Sequence, residues 1–271
     1  MSWDILPKVQ LPSARRMITL TVLRTEQTTP SFRTVTLGGP DLGHLVVTGF
    51  DQTVRLFFPR LGQRSLRMPT LNSEAWMAQV LLLPKSVRPW VRNYTIRRAR
   101  PGEQEIDIEF ALHGEGPAAA WATSARPGDE AGIWDMGISY LPPAEAEWHL
   151  LAGEESAVPA ILSILENASD ALTAEVFLEV PSPADIRTDI LAPPGARIHW
   201  LPRREGLGRP GALALATIKE AILPAGRSYT WVAGESKLPT GLRRHLVNDR
   251  GVAKSDIAFF GYWRHGRSSP G

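Results

Sequence analysis

The chain of 271 residues is 43% hydrophobic and 21% charged, has a formal net charge of +2 and contains no cysteine. It is a globular composition with room for two separate cores, and no run approaches the roughly 18 to 20 consecutive apolar residues of a membrane-spanning helix, so no membrane insertion is expected. The lack of thiols excludes disulfides, thiolate zinc sites, cysteine nucleophiles and ordinary iron–sulfur clusters, which leaves any electron chemistry to a bound organic cofactor.

The opening MSWDILPKVQLPSARR lacks an apolar h-region followed by a small-residue cleavage site, so a cytoplasmic location is expected. From there the first half runs through short alternating or β-branched segments: MITLTVLRT, FRTVTLGG, TVRLFFP, NYTIRR, EIDIEFAL and AGIWDM, separated by Gly, Pro and Asp. Six such strands predict a closed antiparallel barrel. Residues 60 to 91 interrupt the series, and NSEAWMAQVLLL, with an Asn/Ser cap before good helix formers, predicts a short helix in that insert.

After LPPAEAE the pattern becomes apolar strands alternating with helical segments, which predicts a parallel sheet wrapped by helices. The strands are WHLLAG, AEVFLEV, RIHWLPR, SYTWVAG and IAFFGYW; the helices are SAVPAILSILENA, PADIRTDIL, PGALALATIKEAIL and TGLRRHLVNDRG. Val158, Ile161, Leu162 and Leu165 fall at i, i+3, i+4 and i+7, giving the first helix one apolar face, with Pro159 harmless in its first turn. The expected domains are residues 1–143, a barrel, and 144–271, an α/β nucleotide-binding fold.

Three stretches carry candidate chemistry. In RNYTIRR, strand alternation sends Arg92, Tyr94 and Ile96 to one side and Asn93, Thr95 and Arg97 to the other. A tyrosine ring can cover a flat heterocycle, an arginine can neutralise a phosphate, and a threonine or backbone N–H can reach a ring nitrogen; an edge strand with solvated arginines is the plainer alternative. In HGEGPAAAWATSARPGDE a glycine-rich turn enters a helix near Pro117, whose exposed N–H groups and dipole suit a pyrophosphate, although such a turn also serves without any ligand. His113 there is either a ligand contact or a structural residue at the strand end. LLAGEESAVPA runs from buried strand through a turn to an amphipathic helix, the place where parallel sheets bind nucleotides, without being GxGxxG or a Walker loop. WVAGESKLP repeats the same strand and turn.

Together these pieces resemble the siderophore-interacting proteins, flavin-dependent ferric-siderophore reductases of the ferredoxin-reductase-like superfamily. The resemblance rests on RxYTxR at Arg92–Arg97, HGxGPAxxWA at His113–Ala122, GxExAxPAxxxILE at Gly153–Glu166, AGES at Ala233–Ser236 and GYWRxG at Gly261–Gly266. It implies a six-stranded antiparallel Greek-key barrel that binds FAD and a C-terminal parallel-sheet domain that binds NADPH or NADH. Arg92, Tyr94 and Thr95 would hold the isoalloxazine and phosphates, with Tyr94 and Thr95 the candidate catalytic residues. The turn and helix start at His113, Gly114, Gly116, Pro117, Ala118 and Trp121 would complete the diphosphate site. Gly153, Glu154, Glu155 and Ser156, with Gly234, Glu235 and Ser236, would border the nicotinamide nucleotide, and Tyr262, Trp263 and Arg264 would close over the flavin, a plain core role for Trp263 being the alternative. The chain departs from the family where GEESAVPA stands for GDETALPA, and where AGIWDMG follows PGDE in place of a Gly-Pro pair.

The implied reaction moves electrons from the pyridine nucleotide through FAD to Fe(III) held by a siderophore, with no metal ligated by the protein. Alternatives are a flavoprotein serving a protein partner and a non-catalytic iron-chelate binder. Between Arg60 and Arg100 nine basic residues face one acid, Glu74, a density that suits attraction of an anionic chelate, phosphate neutralisation or a solvated face. No recognition motif supports nucleic-acid binding, and a monomer is expected. Arg203, Arg204 or Lys237 could contact a 2′-phosphate, and Glu179 a ribose hydroxyl, a plain surface charge being the favoured alternative for each.

Overall fold

The structure, a computed structural model, describes residues 8–112, 116–203 and 208–266. The described residues form two compact units, 10–138 and 139–266, residues 8–9 belonging with the second.

The first unit is the six-stranded barrel. Its strands β1 (Ile18–Thr29), β2 (Phe32–Gly38), β3 (Thr53–Phe58), β4 (Trp90–Arg100), β5 (Glu105–Ala111) and β6 (Glu130–Asp135) close in the order β1-β2-β5-β4-β3-β6. Every pairing is antiparallel, and closure leaves no open edge. Alternation decides which side chains fill it: Ile18, Leu20 and Val22 point inward from β1 between exposed neighbours, and meet Val35, Leu37, Val54, Leu56, Ile106, Ile108 and Ile133. Each such side chain withdrawn from water contributes about 1.5–3 kcal/mol before conformational entropy is charged against it. The opposite parity packs outward. Phe57 and Trp134 leave the barrel wall to receive Trp76 and Val80, one turn apart on α1 (Trp76–Leu82), the short helix expected in the insert. The AGIWDMG departure is thereby explained: Trp134 is buried on this outer face, and Gly137 takes φ +73 where a Cβ would stand 2.0 Å from the Gln10 carbonyl oxygen. A second helix, α2 (Pro117–Ser124), buries Ala118, Trp121 and Ala122 in the barrel core.

The second unit is a five-stranded parallel sheet. Strands β7 (Trp148–Gly153), β8 (Thr173–Val180), β9 (Gly195–Pro202), β10 (Ser228–Glu235) and β11 (Ile257–Trp263) stand in the order β11-β10-β7-β8-β9. The chain builds outward from β7 in one direction, then returns to add β10 on its other side. Between the carboxyl ends of β7 and β10 lies the switch point where open parallel sheets bind ligands. Both strands are buried along their whole length, as a sheet covered on both faces requires. Helices α3 (Val158–Asn167), α4 (Ala212–Glu220) and α5 (Lys237–Asn248) form as expected, but PADIRTDIL does not. Only a 3-10 turn at Pro183–Asp185 appears there, because the Asp185 carboxylate accepts from Ser182 N and Oγ, closing the turn on itself. The Pro193–Pro194 pair then leaves too little chain for a helix.

Candidate functional site

In the barrel, the RNYTIRR strand and the HGEGPAAAW turn come together through rings. Tyr94 lies with its ring centroid 4.4 Å from Phe110, and Phe110 lies 5.7 Å from Trp121 of α2. Trp121 also meets Phe58 at 5.2 Å. The strand thus sets its tyrosine against the helix that the second motif begins. The predicted alternation holds as far as Ile96, which enters the core, and an irregularity between Ile96 and Arg98 then resets the strand. Thr95, on the opposite parity, is buried opposite Thr53. Burial raises the Tyr94 phenol well above the ordinary tyrosine range, with the Arg92 charge opposing. The ring therefore stays neutral and serves as a surface.

Arg92 is half-buried, and the desolvation that follows lowers its pKa, as does the nearby Arg60 charge. Trp90 is not among the residues singled out in the sequence, yet its ring lies under both guanidiniums, 3.7 Å from Arg60 Cζ and 4.8 Å from Arg92 Cζ. Its place two residues before Arg92, on the same strand face, was the available signal. Gly116 stands in the N-cap position of α2 with Pro117 following, and no side chain caps the helix; a Cβ at Gly116 would meet nothing within 4 Å. Among the described residues the buried Trp121 Nε1 has no hydrogen-bond partner. A half-buried cation, uncapped N–H groups, an orphaned indole donor and a neutral ring fit a dinucleotide with a flat heterocycle and negative phosphates. His113 and Gly114 lie outside the described residues.

In the second unit, the GEES turn after β7, the AGES turn after β10 and the end of β11 converge on one side chain. Glu154 Oε1 accepts from Glu235 N at 3.0 Å, from Trp263 Nε1 at 3.0 Å and from the Ser156 hydroxyl, while Ser156 N donates to Oε2 at 3.1 Å. Gly234 permits the approach: its φ is +132, and a Cβ would stand 2.6 Å from Glu154 Oε1. Ser236 N and Oγ both donate to the Trp263 carbonyl, at 2.9 and 2.8 Å. Glu235 in turn accepts from Lys237 N and His265 N at 2.9 and 3.1 Å.

These bonds sort the residues singled out in the sequence. Gly153, Glu154, Ser156, Gly234, Glu235, Ser236 and Trp263 gather at the switch point, but the carboxylates of Glu154, Glu155 and Glu235 are buried and turned inward. They hold the turns in place, leaving the partly exposed Ser156 and Ser236, together with Lys237, Tyr262 and Arg264, to face solvent. Two nucleotide-selectivity expectations are overturned. Arg203 does not await a 2′-phosphate: its guanidinium donates to Glu155 at 2.5 and 2.7 Å and to Glu179 at 2.9 Å. Glu179 is fully buried and also accepts from Gly211 N and Ala214 N, both at 2.8 Å, so its carboxylate is turned into the fold and not presented to a ribose hydroxyl. Arg204 lies outside the described residues.

Burial, reinforced by the neighbouring Glu155, pushes the Glu154 carboxyl up to about 8. A carboxyl that holds its proton more tightly folded than unfolded lends stability that is complete below its unfolded value of 4.5 and is lost as pH rises towards 8. Glu154→Gln, a neutral group of the same shape, is expected to flatten the decline in melting temperature across that window, whereas Glu154→Ala lowers it at every pH by stranding Trp263 Nε1 and Glu235 N. Parallel pH profiles for the wild type and the glutamine variant would show that Glu154 is ionised in the fold.

Residues 21–139 match the siderophore-interacting FAD-binding domain and residues 146–266 the siderophore-interacting protein domain. The chain belongs to the siderophore-interacting protein family. It is 33% identical to the ferric vibriobactin reductase of Vibrio cholerae over 86% of this chain and 84% of that protein. It is 30% identical to the NADPH-dependent ferric-chelate reductase of Escherichia coli over 84% and 85%. Among solved structures, a siderophore utilization protein from T. fusca superposes with a TM-score of 0.82 at 30% identity, covering 96% of this chain and 97% of that one. The fold is ferredoxin-reductase-like: a ferredoxin NADP+ reductase from Neisseria gonorrhoeae superposes at a TM-score of 0.64 with 16% identity, covering 91% and 99%. Within this siderophore-interacting protein, the barrel unit is the part that matches an FAD-binding domain.

Proposed function

We propose that this protein is a ferric-siderophore reductase, an FAD-dependent oxidoreductase that draws electrons from NADPH and delivers them to Fe(III) held in a chelate. The carrying observation is the half-buried Arg92 beside Tyr94 in a barrel that matches an FAD-binding domain, within a chain similar along most of its length to two named ferric reductases. FAD supplies the step between a two-electron donor and a one-electron acceptor, which a chain without cysteine has no cluster of its own to perform. Arg92 and the uncapped first turn of α2 would hold its phosphates and Tyr94 would cover its ring, with Thr95 the next residue along the strand on the opposite face. With Arg203 committed to two carboxylates, Lys237 is an exposed cation at the sheet rim available for a 2′-phosphate, which favours NADPH over NADH. The iron is substrate and needs no ligand from the protein; its reduction weakens the hold of hard oxygen donors that favour the smaller, more highly charged ion.

The test is anaerobic. NADPH should bleach the flavin absorbance, and a ferric siderophore added with an Fe(II) trap should restore it while the trapped complex forms in a ratio of about two per flavin. Reoxidation no faster than in buffer, with a protein electron acceptor restoring the colour instead, would reassign the enzyme to a protein partner.

A further inference from the structure

The insert between β3 and β4 carries a surface apart from the residues assigned above to either cofactor. Trp76 and Val80 bind α1 to the barrel wall. The arc facing away, Met77, Ala78, Leu81 and Leu82, spans about 140° at 100° per residue and is apolar throughout. Met77 is 41%, Leu81 61% and Leu82 84% exposed, and Leu61, in the adjoining turn, is 102% exposed. The turn and helix are fixed to each other by way of the segment that follows α1. Gln63 Nε2 donates to the carbonyls of Ser86 and Arg88 at 3.0 and 3.1 Å, and the Arg88 guanidinium donates to the carbonyls of Leu81 and Leu83 at 2.5 and 2.7 Å. The leucines therefore project from a rigid base.

Positive charge predominates around them, with the Glu130 carboxylate accepting from Leu66 N at 2.5 Å. Arg64, Arg67 and Lys85 are exposed and have no carboxylate partner among the described residues. The single acid between Arg60 and Arg100, Glu74, is paired with Arg15 at 2.7 Å. We propose that this surface docks on an anionic lipid bilayer, its leucines entering the headgroup layer and its cations pairing with lipid phosphates. Protein interfaces centre on aromatic and arginine anchors seated in shaped pockets, with a hydrogen-bonding rim. Here the centre is a set of aliphatic tips that nothing covers, flanked by unpaired cations, the arrangement of segments that lie in a membrane interface. The docking is peripheral, since a seven-residue helix is far too short to span.

Co-sedimentation of the full FAD-loaded chain with vesicles tests it. Phosphatidylcholine vesicles mixed with phosphatidylglycerol should bind at least about tenfold more strongly than phosphatidylcholine alone, with the difference shrinking as salt shortens the Debye length. The triple variant Leu61→Ser, Leu81→Ser, Leu82→Ser should lose about tenfold in vesicle affinity while keeping its flavin absorbance and its reduction of a water-soluble ferric chelate. Replacing Arg64, Arg67 and Lys85 with Gln should weaken binding and flatten its salt dependence. Equal binding to neutral vesicles, no binding to either, or an unchanged leucine variant would each overturn the proposal. So would a wild-type oligomer that the leucine variant dissociates without any effect on vesicles, which would make the patch a contact between copies of the chain.

Discussion

Arg203→Ala is expected to destabilise the parallel-sheet unit by about 3–5 kcal/mol, the range seen when one member of a buried ionic group is removed. The side chain is 14% exposed and its partners, Glu155 and Glu179, are 3% and 0% exposed, so the alanine variant leaves two desolvated carboxylates facing each other without the cation between them. Glu179 would still have Gly211 N and Ala214 N to accept from, which anchor the start of α4, but Glu155 loses both of its guanidinium bonds. Much of the penalty therefore falls on the GEES turn. A unit of this size loses about 4 °C in melting temperature per kcal/mol, so its thermal unfolding, followed by scanning calorimetry, should shift down by more than about 10 °C. Arg203→Lys restores charge but not the fork that reaches two carboxylates, and should recover only part of the loss. If Arg203 instead served a 2′-phosphate, the alanine variant would melt near the wild-type temperature and raise the KM for NADPH alone; the hydrogen bonds point to the first result.

Arg203 also shows what a sequence can and cannot disclose about such a site. Strand alternation and turn residues made both sheets legible: Ile18, Leu20 and Val22 announce their shared face through the threonines between them. The motif turns were visible for the same reason, since strand, small-residue turn and helix are contiguous in the chain. Long-range side-chain partners leave no local trace. Arg203 pairs with Glu155 from 48 residues away, and Trp263 reaches Glu154 across 109. A glutamate in a nucleotide-binding turn looks the same in sequence whether it faces a ribose or an arginine. The missing helix at PADIRTDIL failed for a more local reason: its Asp185 was counted as a helix residue, whereas its carboxylate closes a 3-10 turn onto Ser182. Trp90 lies outside the motif, two residues before it, but the same alternation that pairs Arg92 with Tyr94 includes it.

Arg92→Ala should raise the dissociation constant for FAD by about 10- to 100-fold, the equivalent of roughly 1.5–3 kcal/mol for a charge-assisted hydrogen bond lost to a buried phosphate. A cost is already present in the fold. Desolvation lowers the pKa of Arg92, and so does its neighbour Arg60, so the free protein holds two cations over one tryptophan ring under mutual repulsion. A bound phosphate relieves both effects at once. Arg98→Ala is the control: it removes the same charge from the same strand beyond the irregularity that follows Ile96, at an exposed position, and should change FAD affinity by less than about threefold. Equilibrium titration of the apoprotein with FAD, read by quenching of flavin fluorescence, measures both. Equal losses would mean that the barrel attracts FAD through bulk positive charge. A second readout separates binding from packing, because a ligand that binds only the folded state raises the melting temperature in proportion to its affinity. Apo Arg92→Ala should melt close to the wild type, since removing a desolvated cation relieves repulsion as it gives up contact with Trp90, and the rise on adding FAD should shrink. If apo stability fell while the FAD-induced rise stayed whole, Arg92 would be a structural clamp on Trp90, and the phosphate would belong to α2.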